Sequence, residues 1–163
     1  MSKPSKTKEL KIITKHVVTI DDVARDQRKL KLLYLVNALE EISEKALQYL
    51  IYWLKTEKQL DLGYEFLVIG NVPSSKELKT DIVALLYVGA LETNPRNKKL
   101  RVTSVGKELL EKTVTDNMKP EFDRVVAAAK ELEAKVKSID AEVELTIKML
   151  KQSMRRRRRR RFI

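Results

Sequence analysis

The stretch from Ser74 to Leu110, SSKELKTDIVALLYVGALETNPRNKKLRVTSVGKELL, constrains the fold more than any other part of the chain. It prescribes a helix, an abrupt stop, a short hairpin and a second helix in unbroken order. Ser74 followed three residues later by Glu77 reads as a capping box, in which hydroxyl and carboxylate each satisfy a backbone N–H of the first turn. Leu78, Ile82, Leu85 and Leu86 recur at helical spacing, which predicts one buried face and leaves Ser75, Lys76, Lys79 and Thr80 on the other. Gly89 follows that pattern, at the point where a helix ending needs a left-handed residue that glycine adopts cheaply. Ala90-Leu91-Glu92 and Leu100-Arg101-Val102 then read as short strands, with Thr93 to Lys99 between them as a turn-rich loop free of acid.

Charge narrows the partners. The net charge is +11 and the pI about 9.8, a balance that favours a polyanion because neutralising phosphates releases their counterions. Seven of the positive charges form the run Arg155, Arg156, Arg157, Arg158, Arg159, Arg160 and Arg161. Five more, Arg96, Lys98, Lys99, Arg101 and Lys107, fall in an interval without acid. Like charges in a block repel, so the arginine run is expected to lack structure until it meets an anion. Guanidinium groups are planar donors suited to phosphate but carry no sequence information there. The run reads first as a sequence-neutral nucleic-acid clamp; an acidic protein surface and an anionic membrane are the other readings.

The run YVGALETNPRNKKLRVTSVGKELLEK resembles the end of a winged helix-turn-helix domain. In that family a recognition helix closes on a small-residue turn, a basic hairpin (the wing) follows, and a Thr-x-x-Gly-[Lys/Arg]-Glu-Leu helix begins, here Thr103, Gly106, Lys107, Glu108 and Leu109. Upstream, KLLYLVNAL and GYEFLVIGNVPSSKEL are similar to segments of archaeal and phage-associated winged-helix proteins, so that the resemblance runs from Lys29 to Lys112. Where those proteins often read Gly-Pro-Tyr-Ser, this chain has Gly70-Asn71-Val72-Pro73-Ser74. The resemblance implies a fold that is mainly α with a small β-wing, an α+β class, and a transcriptional regulator or architectural chromatin factor bound to duplex DNA. It places Ser75, Lys76, Lys79 and Thr80 toward a DNA groove and Arg96, Lys98, Lys99 and Arg101 on the wing, against phosphates or a minor groove. Glu77 and Asp81 on the same helix would temper its charge.

Organisation follows from periodicity. A basic extension occupies residues 1–18, the winged-helix domain 19–113, a coiled-coil helix 116–154 and the arginine tail 155–163. Thr19 with Asp22 predicts a cap, and Leu30, Leu33, Val36 and Leu39 an apolar stripe on the helix that follows. Ser43 starts the next helix, with Leu47, Leu50, Ile51 and Leu54 inward and Tyr52 and Trp53 closing the core. Gly63 to Ile69 is a strand or an extended connection. Asp116 or Asn117 with Pro120 suggests a helix entry. A heptad pattern then puts Phe122, Ala129, Val136, Val143 and Leu150 at a, and Val125, Leu132, Ile139, Thr146 and Ser153 at d. Between Lys119 and Lys151 seven basic residues balance seven acidic ones, so this helix is not itself a basic DNA reader. Val125, Ala129, Leu132, Val136, Ile139, Val143 and Leu150 are the expected homodimer seam; the alternative is a helix folded back on its own head. A straight helix of about 35 residues spans on the order of 50 Å, so a parallel pair would gather both tails far from both wings; the expected stalk is antiparallel, with each tail emerging beside the partner's winged domain.

Catalysis finds little support. The chain has no Cys, its one His is His16 in the extension, and Gly63, Gly70, Gly89 and Gly106 are scattered rather than gathered in a phosphate loop. No run approaches the ~18 apolar residues of a membrane span. The expectation is a non-enzyme without cofactor or metal, intracellular and nucleoid-associated. A composition rich in Lys, Glu and Arg would suit a thermophile. The alternatives are an RNA-binding ribosome-associated factor and a winged-helix protein-interaction module.

Overall fold

Thr19 and Asp22 close a capping box at the first helix, with Thr19 N donating to the Asp22 carboxylate at 2.8 Å. The computed structural model describes residues 17–160; the extension through His16, and Arg161, Phe162 and Ile163, lie outside the described residues. The elements are α1 (Ile20–Arg25), α2 (Gln27–Leu39), β1 (Glu41–Ile42), α3 (Glu44–Thr56), β2 (Leu67–Ile69), β3 (Val72–Ser74), α4 (Lys76–Tyr87), β4 (Leu91–Thr93), β5 (Leu100–Val102), α5 (Ser104–Thr113), α6 (Lys119–Glu131) and α7 (Glu133–Arg160). The chain is therefore mainly helical, α+β, with small antiparallel sheets and a long C-terminal helix.

The stripes meet in one core. Leu30, Leu33 and Val36 of α2, Leu47, Leu50, Ile51 and Leu54 of α3, and Leu78, Ile82 and Leu85 of α4 are buried together with Leu91 and Leu100 of the hairpin. Tyr52 and Trp53 are half-buried at its edge. β1, which no alternation in the sequence announces, pairs antiparallel with β5, and β5 with β4, so that Ile42 and Thr93 flank Leu100. β2 and β3 form a separate two-stranded sheet between α3 and α4, joining Leu67 to Ser74 and Ile69 to Val72.

That second sheet corrects the expected cap. Ser74 is the last residue of β3, so Ser75 becomes the N-cap of α4, its hydroxyl accepting from Leu78 N at 3.3 Å. Gly89 has the left-handed backbone expected of it, φ +76°, and ends α4 sharply. Near the C-terminus, α6 starts from Met118 with Pro120 in its first turn; neither Asp116 nor Asn117 is the cap.

The larger correction concerns the heptad stripe. The chain bends at Leu132 (φ −93°, ψ 3°), giving two helices where one was expected. Phe122, Val125, Val126, Ala129, Leu132 and Val136 are buried in the same core as α2 and α3, so Val125, Ala129, Leu132 and Val136 do not form a seam open to a second chain. A stripe at heptad spacing specifies an apolar face but not what covers it, and the nearest apolar surface is the chain's own head. Tyr34 meets Phe122 edge-on at 5.4 Å, and ion pairs Lys31–Glu121, Lys58–Glu131 and Lys135–Glu57 rim the contact. Ile139 is partly buried against the core and Val143 half-buried; Leu150 is 55% exposed.

The arginine run differs from expectation as well: Arg155 to Arg160 continue α7 as exposed helix. Repulsion between neighbouring turns opposes this, whereas the negative end of the helix dipole favours cations in the last turn. Among the described residues no helix is long and apolar enough to cross a membrane.

Candidate nucleic-acid interface

Helix α4 is held by a buried carboxylate. Asp81, 1% exposed, accepts from Arg28 Nε at 2.7 Å and Nη2 at 3.1 Å and from the Tyr64 hydroxyl at 2.9 Å, with Lys29 Nζ at 3.4 Å. The Arg28 guanidinium also lies 5.0 Å from the Tyr64 ring centroid. Burial, with Asp81 beside it, pushes the Tyr64 phenol far above its ordinary range, so it remains a donor. Asp81 was expected to temper the charge of α4. It sits instead on the buried face with Leu78 and Leu85, three and four residues away, and serves as an internal anchor.

Ser75 is likewise not a groove residue. It is 1% exposed, and its backbone N–H donates to Gln48 Oε1 at 2.9 Å. The exposed face of α4 carries Lys76, Lys79 and Thr80, and extends through Val83 and Tyr87, which are 63% and 65% exposed. The Thr80 hydroxyl donates back to Lys76 O at 3.0 Å. Sequence reasoning passed over Val83 and Tyr87, although the helical spacing 76, 80, 83, 87 was the signal for them.

The β4–β5 hairpin is a fixed structure. Asn94 N donates to Lys99 O and Lys98 N to Asn94 O, both at 2.8 Å. Asn94 and Asn97 also donate their side-chain amides to Glu41 at 3.1 and 3.0 Å. These two amides, Asn94 foremost, hold the Glu41 carboxyl below its usual range. At the base, Thr103 donates its hydroxyl to Gly89 O and Ala90 O. Gly106 passes so close to Ala90 O that a Cβ would stand 2.3 Å from it.

The four hairpin cations divide into two pairs. Arg96 and Lys98 are exposed and, among the described residues, have no acidic partner. Arg101 pairs with Glu92, its cross-strand neighbour. Lys99 reaches α7, with Glu144 at 3.0 Å and Asp140 at 3.9 Å. Burial pulls the Lys99 amine down, but Glu144 and Asp140 outweigh it and hold it above its ordinary value. Lys99 and Arg101 were both expected to grip phosphate; neutral pairing within the chain occupies them instead.

Through Lys99 the hairpin is tied to α7. Asp140 is 6% exposed and accepts from Ser43 N at 3.0 Å, so the same carboxylate braces the start of α3. One helical stretch further on, Lys151 Nζ donates to Arg96 O at 3.3 Å. The arginines begin four residues beyond, so Arg155 to Arg160 lie about 6 to 14 Å further along the helix axis at 1.5 Å per residue. The tail thus continues from the chain's own hairpin, where an antiparallel stalk was expected to set it beside the partner's head. The contact of Lys151 with Arg96 sets the start of the arginine run next to the hairpin; Lys76, Lys79 and Thr80 remain on α4, and Arg161 is outside the described residues.

Among the described residues, no group of three or more His, Cys, Asp or Glu is placed to hold a metal ion. In comparisons with known proteins, no family model, no curated protein and no solved structure matches the chain.

Proposed function

We propose that this chain is a winged-helix nucleic-acid-binding protein that docks on duplex DNA, as a transcriptional regulator or an architectural chromatin factor. The observation that carries the reading is a coincidence of topology and charge. The order α2–β1–α3–β2–β3–α4–β4–β5, with β1–β5–β4 as one sheet, resembles a winged-helix order with an added β2–β3 ribbon before α4, and the hairpin, the start of α4 and the end of α7 carry cations without acidic partners among the described residues. In this reading α4 is the recognition helix, offering Lys76, Lys79 and Thr80, and the β4–β5 wing places Arg96 and Lys98 on phosphates. Arg155 to Arg160 supply sequence-neutral affinity beside the wing.

Fluorescence anisotropy with a labelled duplex, across a salt series, tests it. About seven phosphate contacts, two from α4, two from the wing and roughly three from whichever arginines face the backbone, give a log–log salt slope near −6 at ~0.9 per contact. A slope shallower than about −2 removes the reading. Structured RNA in the parallel arm separates the ribosome-associated alternative: RNA bound more tightly than duplex at every salt concentration favours that one.

A homodimer is part of the proposal. Leu150 and Met154, 55% and 63% exposed, continue the stripe that Leu132 and Val136 begin, on a face that the head leaves uncovered. Pairing of these distal turns between two copies would cover them, and light scattering on the Leu150→Lys/Met154→Lys variant reads it directly.

A further inference from the structure

We propose that the cleft between α3, β3 and the start of α4 is a subsite for one phosphate oxyanion, with the Gln48 carboxamide as its donor. The proposal rests on the nucleic-acid reading for the source of that phosphate but not for its chemistry. The cleft is open, about 350 Å³ in volume, and its walls include Lys45 and Gln48 of α3, Ser74 of β3 and Lys79 of α4.

Gln48 is the reason to look there. Its side chain is 3% exposed, and Oε1 is committed to the backbone N–H of Ser75. That bond fixes the orientation of the amide, because a flip would set two donors against each other. Nε2 is thereby left buried with a free N–H and no partner in the protein. Buried donors are rarely left without acceptors, since an unmet one costs its desolvation in full. An oxygen entering the cleft from outside would satisfy it.

The surroundings favour a charged oxygen. The cleft opens at the N-terminus of α4, a helix of 12 residues whose dipole presents its positive end there. Lys79 has no acidic partner among the described residues, and Lys45 has only Glu142, at a distant 3.8 Å. One acid, Glu44, also lines the cleft, leaving two cations against one anion. Glu77 stands at the same helix start, but its carboxylate is engaged with its own backbone N–H and the Ser75 hydroxyl, 3.1 Å away. The Gln48 N–H is therefore the donor left for a ligand. A phosphodiester bound here would fix the start of the recognition helix against the backbone of the duplex, a contact that positions without reading bases.

The test uses the full chain. In ¹⁵N-labelled protein, the Gln48 side-chain NH₂ resonance should move on titration with inorganic phosphate at millimolar concentration, and again with duplex DNA. Gln48→Glu keeps an acceptor for Ser75 N but replaces the donor by a carboxylate oxygen. It should weaken duplex binding about tenfold or more, the scale of a lost hydrogen bond to a charged group together with the new repulsion. Gln48→Met removes the donor, and with it the acceptor of Ser75 N, without adding charge; with the melting temperature checked alongside, it should give a smaller loss in the same direction. A Gln48 resonance that stays put with both phosphate and duplex, with full duplex affinity in both variants, overturns the subsite and leaves only water as the occupant. A resonance that moves with phosphate in a chain that does not bind duplex upholds the subsite with free phosphate as its source and overturns the nucleic-acid reading instead.

Discussion

Replacing the wing cations two at a time separates those that face phosphate from those that hold the fold. If all four of Arg96, Lys98, Lys99 and Arg101 touched DNA, removing them would flatten the salt slope by roughly three to four units at ~0.9 per contact. The structure predicts half of that. Arg96→Ala/Lys98→Ala takes away two exposed cations without acidic partners and should flatten the slope by about 1.8 units. Lys99→Ala/Arg101→Ala takes away cations already paired with Glu144, Asp140 and Glu92, and should change the slope by less than about 0.5. Its effect should fall on stability: Asp140, almost wholly buried, loses its cation and keeps only the Ser43 N–H, so the melting temperature should drop. The assay is duplex anisotropy at several salt concentrations between about 50 and 300 mM, paired with thermal melts without DNA. Equal flattening by the two pairs, or a stability loss confined to the Arg96/Lys98 pair, would refute the division.

Asp81→Ala should destabilise the chain by about 2–4 kcal/mol in urea titration, since it strands Arg28, Lys29 and Tyr64 around a vacated carboxylate, with solvent reaching the partly exposed Arg28 and softening its loss. A cost under 1 kcal/mol means that this cluster does not hold α4. Val136→Asp should unfold the head rather than merely split a dimer, because Val136 is 5% exposed within the core. Leu150→Lys should leave unfolding within about 0.5 kcal/mol of the parent. The reverse pattern would restore Val136 to an interchain seam. Acid should loosen the wing from α7. The Glu144 carboxyl is lowered chiefly by its bond from Lys99, and Glu41 by the Asn94 and Asn97 amides. Carboxylates depressed in the fold stabilise it above their unfolded pKa and release that contribution as pH falls through the folded value, here below 4.5. Hydrogen exchange at residues 140–151 should therefore rise below about pH 4 with the core still protected; exchange unchanged down to the point of global unfolding contradicts it.

Local signals in the sequence carried through where a short-range rule decides the outcome. The Thr19–Asp22 box, the Ser43 cap, the left-handed Gly89 and the β5 strand each depend on residues within a few positions, and each is seen in the structure. What failed depends on distance in space. A two-residue strand such as β1 has no periodicity to show and exists because β5 lies next to it. The shift of the α4 cap from Ser74 to Ser75 follows from a β2–β3 pairing that only the folded chain displays. The heptad stripe was visible, but the same spacing serves a partner helix or the chain's own head, and only the positions of α2 and α3 decide between them. Asp81 and Lys99 were misplaced for a related reason: a charge reads as solvated unless its partner, 53 residues away for Asp81 and 45 for Lys99 to Glu144, is known.

Pairing, rather than net charge, is what locates the proposed interface. A charge of +11 would favour a polyanion as partner, but the cations divide by the company they keep. Arg28 and Lys29 neutralise Asp81, Arg101 neutralises Glu92, Lys99 neutralises Glu144, and Lys31, Lys58 and Lys135 fasten α6 and α7 to the head. Beyond Glu144 the described part of α7 contains no acid at all, so its arginines have no internal partner to satisfy them. Their helical arrangement sets like charges at i,i+4, Arg155 with Arg159 and Arg156 with Arg160, each such pair costing some tenths of a kcal/mol. A polyanion would reverse that sign by placing phosphates between the turns. The acids of α7 and the cations of its end then have separate roles. Asp140 and Glu144 fix where the helix lies against the wing, and that fixed position decides where the unpaired arginines, with Arg96 and Lys98, present their charge.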